Sequence, residues 1–339
     1  MFIGKTENGR PLTCLKSPFD PRDYKYPNLL AALGKEGVPA GPIDYRPNPP
    51  PVFDQGVRGS CVAAATAYTV KAFHEVSQGD YPKGGLSAAY LYTRCKQSDG
   101  ISDTEGTYPR IAMQVLQKYG VPPESTMPYS SLTSLSAPEV PCIPVLADAR
   151  AEPYRIKTYA RLCAPDDTYR NNLLTTIRQA LKNEGPFLLA LLVCDNFEPD
   201  KRGILPLPGG MVLGGHAVGI VGDLPDIGCL ILRNSWGTGW GMDGYAYLPY
   251  EWLFRSSDTW KYVFEAWTAV DLAVPKAADE IVITPDSKTM LVDGVEVMLD
   301  QPAFVTINNR TVIPVRAITG NIGYLVTWKN GKVYLTKPN

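Results

Sequence analysis

Histidine is nearly absent from this chain: two residues in 339, His74 and His216. Any chemistry that needs an imidazole must therefore draw on one of these two positions. Excess charge of either sign is also missing, with 33 basic side chains against 34 acidic ones, so no overall field exists to hold a polyanion, and a nucleic-acid function is not expected. Long apolar runs are lacking. The longest, such as 187–193 and 217–221, fall far short of the roughly 20 residues that span a bilayer and fit buried strands. Residues 1–15 carry Lys5, Glu7 and Arg10 where a signal peptide needs an unbroken apolar stretch, so no secretion signal is expected in the chain as given. No CxxC pair occurs, which leaves a structural zinc site unsupported. What is present is cysteine: seven residues, an odd count that leaves one thiol over if the rest pair, as a cysteine nucleophile requires.

At this length about two domains are expected. Residues 1–40, polar and broken by Pro11, Pro18, Pro21 and Pro27, read as an extended arm with one short helix near 29–33. The run 61–76 has no proline or glycine and places Val62, Ala65, Thr69 and Phe73 on one stripe, so Cys61 opens a helix. Further helices are expected at 86–95 and 109–119, then one near 172–184. Strands follow at 187–193, 216–221, 229–234, 244–248 and 263–270, separated by Gly, Pro and Asp turns. The class is α+β, a helical first half and a sheet-rich second half, ending near 272. After a linker, 279–339 reads as a separate small β-rich domain, with Asp293-Gly294, Asn308-Asn309 and Asn330-Gly331 as hairpin turns.

A thiol attacks as thiolate, and a helix N-terminus favours that form, which singles out Cys61. Gln55, in the glycine-flexed loop before it, is the candidate side-chain donor to an oxyanion. The base follows by elimination. His74 lies thirteen residues along the same helix, roughly 20 Å away at about 1.5 Å per residue, and reads as a core histidine. His216 follows Gly214-Gly215, which let the chain approach a cleft closely. Asn234 at a strand end can hold the imidazole through its amide oxygen, and Trp236 can cover the pair. Cys163, Cys194 and Cys229 have no histidine left to activate them and read as buried thiols or a bridge.

The segments Gln55-Gly-Val-Arg-Gly-Ser-Cys61, Gly215-His216-Ala-Val-Gly-Ile-Val-Gly222 and Asn234-Ser-Trp-Gly-Thr-Gly-Trp-Gly241 together resemble the three signature segments of the papain family. The resemblance spans roughly residues 41–270. It implies a helical subdomain and a β-barrel-like subdomain with a cleft between them, and a thiol peptidase acting on protein or peptide substrates without a cofactor. By that resemblance Cys61 and His216 form the ion pair, Asn234 orients the imidazole, Trp236 shields it and Gln55 lines the oxyanion hole. The stretch Glu105-Gly106-Thr107-Tyr108-Pro109 resembles the family's substrate wall, so Gly106, Thr107 and Gly215 would meet substrate backbone. Pro109 and Ala190 would border an apolar second subsite. Cys95 and Cys142 match a family disulfide, and that bridge is expected.

Departures matter. Arg58 and Thr104 stand where both halves of another family disulfide would fall, and Val62-Ala63 replace an aromatic pair. With Ser17-Pro-Phe-Asp-Pro-Arg-Asp-Tyr24, this looks like the prokaryotic branch. The arm is too short for a long helical prodomain, yet as a short propeptide it is a candidate to lie in the cleft, with Cys14 pairing with Cys163 or capping Cys61. Asn308-Asn-Arg-Thr-Val-Ile-Pro-Val-Arg-Ala-Ile318 and Gly323-Tyr-Leu-Val-Thr-Trp328 resemble the copper amine oxidase-like N-terminal domain of bacterial surface proteins. That segment has no histidine or cysteine, so it implies a spacer or attachment module and no copper site. An extracellular or cell-surface location is the matching expectation. Two alternatives stand beside the peptidase: a catalytically silent peptidase-like surface binding protein, which would not need all four of Gln55, Cys61, His216 and Asn234, and an acyltransferase to amines, which would use the same site.

Overall fold

The structure, a computed structural model, describes residues 3–32, 37–47, 49–132, 141–164 and 172–272, and the segments 280–284, 287–292, 295–298, 304–305, 311–312, 325–329 and 332–336. It divides after Leu272 into two units.

The N-terminal segment is extended but not solvated. Its strands β1 (Gly4–Lys5) and β2 (Pro11–Leu12) form a small antiparallel hairpin. Pro11 to Leu15 are all buried, an apolar stretch that loses its contact with water only by lying against the rest of the unit. Helix α1 (Tyr26–Ala32) follows, then the short strand β3 (Ile43–Asp44).

The expected helix beginning at Cys61 is present but not regular. It runs as α2 (Cys61–Ala65), a π-helical turn (Thr66–Lys71) and α3 (Ala72–Gln78), ending at the left-handed Gly79. The wide turn coincides with a buried charge. Lys71 pairs with Glu75 and, at 2.7 Å, with Asp271, while the Thr66 hydroxyl donates back to the Val62 carbonyl at 2.7 Å. His74 sits in this helix as a core residue, its Nε2 2.8 Å from the Glu184 carbonyl. Helix α4 (Ala88–Ser98) is capped by Ser87, whose hydroxyl accepts from the Tyr90 N–H. Pro109 opens α5 (Pro109–Lys118), where its missing N–H costs nothing. A short α6 (Ala147–Ala151) ends the helical half.

The second half forms one antiparallel sheet. Its strands are β4 (Ile156–Cys163), β5 (Phe187–Cys194), β6 (Val212–Leu224), β7 (Cys229–Arg233), β8 (Tyr245–Pro249) and β9 (Val263–Asp271), with helix α7 (Leu173–Glu184) between the first two. Their order is β4-β9-β5-β6-β7-β8, with β3 added on β6. The central β5 is buried along its whole length because both faces are covered. Leu188, Ala190 and Leu192 join the cluster with the helical half. Leu189, Leu191 and Val193 join the one packed with α7. A run buried on both faces reads as continuously apolar, and each buried leucine, valine or phenylalanine side chain contributes roughly 1.5–3 kcal/mol.

The second unit contains β10 (Glu280–Ile283), β11 (Thr289–Val292), β12 (Val295–Met298), β13 (Phe304–Val305), β14 (Thr311–Val312), β15 (Leu325–Lys329) and β16 (Lys332–Thr336). Five of these pair as β12-β11-β10-β16-β15, and β13 pairs with β14. The turns expected at 293–294, 308–309 and 330–331 lie outside the described residues. Among the described residues no helix is long and apolar enough to cross a membrane.

One expectation is corrected. No disulfide joins Cys95 to Cys142 in the structure: both are free thiols, the first buried in the helical core and the second exposed. Cys14 is likewise a free thiol, so it pairs with neither Cys163 nor Cys61.

Candidate active site

Cys61 stands at the first turn of α2, where the Ser60 side chain does not cap the helix. The Ser60 hydroxyl is instead 2.6 Å from the Tyr129 hydroxyl. Backbone N–H groups of Ala217, Thr13 and Val62 face the Cys61 sulfur. Sheet pairing supplies the imidazole. Pairing of β5 with β6 puts Leu191 opposite His216 and Ala190 opposite Ala217, so the residue after His216 is the one whose N–H reaches the sulfur. Asn234 leaves the end of β7 beside β6, and its Oδ1 is 2.8 Å from His216 Nε2. The same oxygen accepts the Ser235 N–H at 2.9 Å. An oxygen already taken from one side by an N–H fixes the amide so that Nε2 carries the imidazole proton. His216 Nδ1 is buried with no hydrogen-bond partner. It is the free nitrogen of the pair.

Trp236 lies over this arrangement, its ring centroid 4.8 Å from that of His216 with 29° between the planes. Gln55 is almost completely buried. Its Oε1 accepts the Ser235 hydroxyl at 2.6 Å, and its Nε2 donates one hydrogen to the Arg58 carbonyl at 2.9 Å. Five of the residues singled out from the sequence, Gln55, Cys61, His216, Asn234 and Trp236, are thus brought to one place.

The cleft in front of them is filled by the chain itself. Thr13 bridges Gly215, and Cys14 bridges Thr107, both in parallel. The Cys14 N–H donates to the Gly215 carbonyl at 2.9 Å and the Leu15 N–H to the Thr107 carbonyl at 3.1 Å. The approach is as close as backbones allow. A Cβ on Gly106 would fall 2.0 Å from the Thr13 carbonyl oxygen, and one on Gly215 would fall 2.1 Å from that of Cys14. Cys14 belongs to the same buried cluster as Ala190, Ala217 and Phe264. Pro109 opens α5, and the next N–H, that of Arg110, donates to the Ser17 hydroxyl at 3.3 Å.

Two further contacts hold this segment. Arg10 forms a two-pronged pair with Asp54 and also donates to the carbonyls of Gly56 and Trp236. Ser17 donates to the buried Glu265 through its hydroxyl at 3.0 Å and its N–H at 3.4 Å. Sequence reading did not find these partners. The available signal was the buried stretch Pro11-Leu-Thr-Cys-Leu15, an apolar island in a polar arm.

The electrostatics follow from this enclosure. Burial pushes the Cys61 thiol up, against the N–H groups that favour thiolate. Burial also takes the His216 imidazole down to about 4, against the Asn234 hydrogen bond. Both shifts favour the neutral forms while the segment is in place. Burial raises the Glu265 carboxyl to about 7, opposed by Ser17. Among the described residues no group of three His, Cys, Asp or Glu is placed to hold a metal ion.

A nucleophile at a helix start, an imidazole held by an asparagine and a shielding tryptophan, set between a helical half and an antiparallel sheet, define a papain-like cysteine peptidase. Residues 41–252 match the papain family cysteine protease description, and the chain belongs to that family. It is 30% identical over 256 residues to an uncharacterised peptidase C1-like protein of Acanthamoeba polyphaga mimivirus, covering 71% of this chain and 80% of the relative. Papain of Carica papaya is 28% identical over 58% of this chain, which spans only 50% of papain's own length. Among solved structures, xylellain, a cysteine protease of Xylella fastidiosa, superposes with a TM-score of 0.62 at 25% identity, covering 79% of this chain and 98% of xylellain. Residues 242–336 match the copper amine oxidase N-terminal domain. The first part of that match lies in the peptidase sheet, since β8 and β9 pair with β7, β4 and β5.

Proposed function

We propose that this chain is a cysteine endopeptidase whose N-terminal segment occupies its own cleft, so that it is a zymogen as described. In the reaction, His216 Nδ1 takes the proton of the Cys61 thiol. The sulfur attacks the carbonyl carbon of a peptide, and the oxyanion is received by the Cys61 N–H and the second hydrogen of Gln55 Nε2. The imidazolium then protonates the leaving amine, giving a thioester, which a water activated by His216 hydrolyses. Asn234 keeps the imidazole proton on Nε2, and Trp236 keeps water from that hydrogen bond.

The observation that carries this reading is the 2.8 Å contact of His216 Nε2 with Asn234 beside an unpartnered Nδ1. The core residue His74 also has one bonded and one unpartnered nitrogen, so what sets His216 apart is its place under Trp236 and next to Ala217, whose N–H faces the Cys61 sulfur. The opposing reading is a silent binding protein, favoured by the complete burial of Cys61. Peptide-library cleavage under reducing conditions by the full chain and by Cys61→Ala, with intact-mass analysis, separates the two. Cleavage lost only in the variant, accompanied by removal of the N-terminal segment in the unaltered chain, supports the peptidase. No turnover and no labelling of Cys61 after that segment is cut away would establish the binding protein.

A further inference from the structure

The wall that faces Thr13, Cys14 and Leu15 is a loop, residues 99–107, with no crosslink to hold it: Thr104 and Arg58 are not cysteines. It is nevertheless held from beneath. Lys96, on the last turn of α4, is almost fully buried. Its Nζ lies 2.9 Å from Asp99 Oδ2, 2.9 Å from the Ile101 carbonyl, 2.7 Å from that of Thr104 and 2.9 Å from that of Gly106. Asp99 completes the arrangement. Its Oδ2 accepts the Thr107 hydroxyl at 2.9 Å, and its Oδ1 accepts the Ile101 N–H at 3.0 Å.

Carbonyl oxygens that converge repel one another, and leaving them buried without a donor costs about 1–3 kcal/mol each. A compact ammonium with three rotatable donors suits such a cage, whereas the flat guanidinium of arginine does not. The loop's outer surface is the part that meets whatever lies in the cleft: Gly106, at φ +90°, and the Thr107 carbonyl. A second tie joins it to the nucleophile's own loop, the Gly59 N–H donating to Glu105 at 2.6 Å.

We infer that Lys96, with Asp99, is a positioning residue for peptide binding: its ammonium folds the loop so that Thr107 presents its carbonyl to the substrate main chain and the bare Gly106, whose own N–H is taken by the Tyr92 hydroxyl and carbonyl by Lys96, leaves room for that chain. It touches no reacting atom, so it acts on substrate binding and leaves the Cys61–His216 chemistry alone. The inference rests on the peptidase reading.

The test compares the full chain with Lys96→Arg and Lys96→Met, each allowed to process itself under reducing conditions. For Lys96→Met, KM for a peptide substrate rises tenfold or more while kcat and the rate of Cys61 alkylation by iodoacetamide stay within threefold. Lys96→Arg, which keeps the charge but fits the carbonyl cage less well, shows a smaller rise in KM. An unchanged KM in both variants, with only a lower melting temperature, overturns the inference, as does a fall in alkylation rate parallel to kcat. If the unaltered chain cleaves nothing, the peptidase reading has failed separately. Amide exchange at Gly106 and Thr107 then decides: faster exchange in Lys96→Arg supports the positioning role, and identical exchange refutes it.

Discussion

Replacing Glu265 by glutamine should change how the stability of the peptidase unit depends on pH, by an amount the structure sets. In the folded chain burial raises this carboxyl from 4.5 to about 7. Between those values the folded protein keeps a proton that the unfolded chain has released. The contribution to stability is therefore complete below 4.5 and lost as the pH rises through 7. Going from pH 5 to pH 8 removes about 2.5 kcal/mol by proton linkage. His216 works in the opposite direction. Burial takes it from 6.5 to about 4, so the unfolded chain binds the extra proton, and the same change of pH adds about 2 kcal/mol. The two nearly cancel. Glu265→Gln keeps an acceptor for Ser17 and removes only the titration, so the difference between variant and unaltered chain should grow by about 2.5 kcal/mol from pH 5 to pH 8. Urea unfolding followed by tryptophan fluorescence under reducing conditions measures this, since Trp236, Trp240, Trp252, Trp260 and Trp267 all lie in the first unit. Parallel stability curves for the two proteins across that range would refute the reasoning.

Two other perturbations probe the site. Asn234→Ala strands His216 Nε2 without its 2.8 Å partner and should lower kcat by roughly ten- to hundredfold, the worth of a charge-assisted hydrogen bond; an unchanged kcat would contradict the assigned role. Arg10→Ala removes a partly exposed pair with Asp54 worth about 0.2–1 kcal/mol. It should speed alkylation of Cys61 in the unprocessed chain by about two- to fivefold. The exposed Cys142 reacts first in every sample and serves as the internal standard by intact mass, so an equal Cys61 rate in both chains would show that Arg10 does not hold the segment down.

The fold was legible in the sequence where one physical cause dominates. Helix α5 announces itself by Pro109 at its start, and β5 by an apolar run that only burial on both faces explains. Elimination among two histidines placed His216, and the asparagine and tryptophan that accompany it follow from the strand ends around it. What stayed hidden depends on partners distant in sequence. The π-helical turn needs Lys71 to meet Asp271, two hundred residues away. Strand β4, with its mixed burial pattern, gives no clean alternation. Glu265 and Ser17, 248 positions apart, look like an ordinary strand residue and an ordinary loop residue until the chain between them is folded. The Cys95–Cys142 bridge, expected from resemblance, is not formed in the structure, where packing buries one thiol and leaves the other exposed.

At Gly106 and Gly215 the occupying strand comes so near that no side chain fits on the wall, and the contacts made there, to the carbonyls of Gly215 and Thr107, engage peptide groups alone. Every polypeptide carries those groups. This stretch of the cleft is consequently blind to sequence and sensitive only to whether a chain can lie extended, so discrimination among substrates falls to the side pockets, and the grip itself is offered equally to a foreign peptide and to the molecule's own first residues.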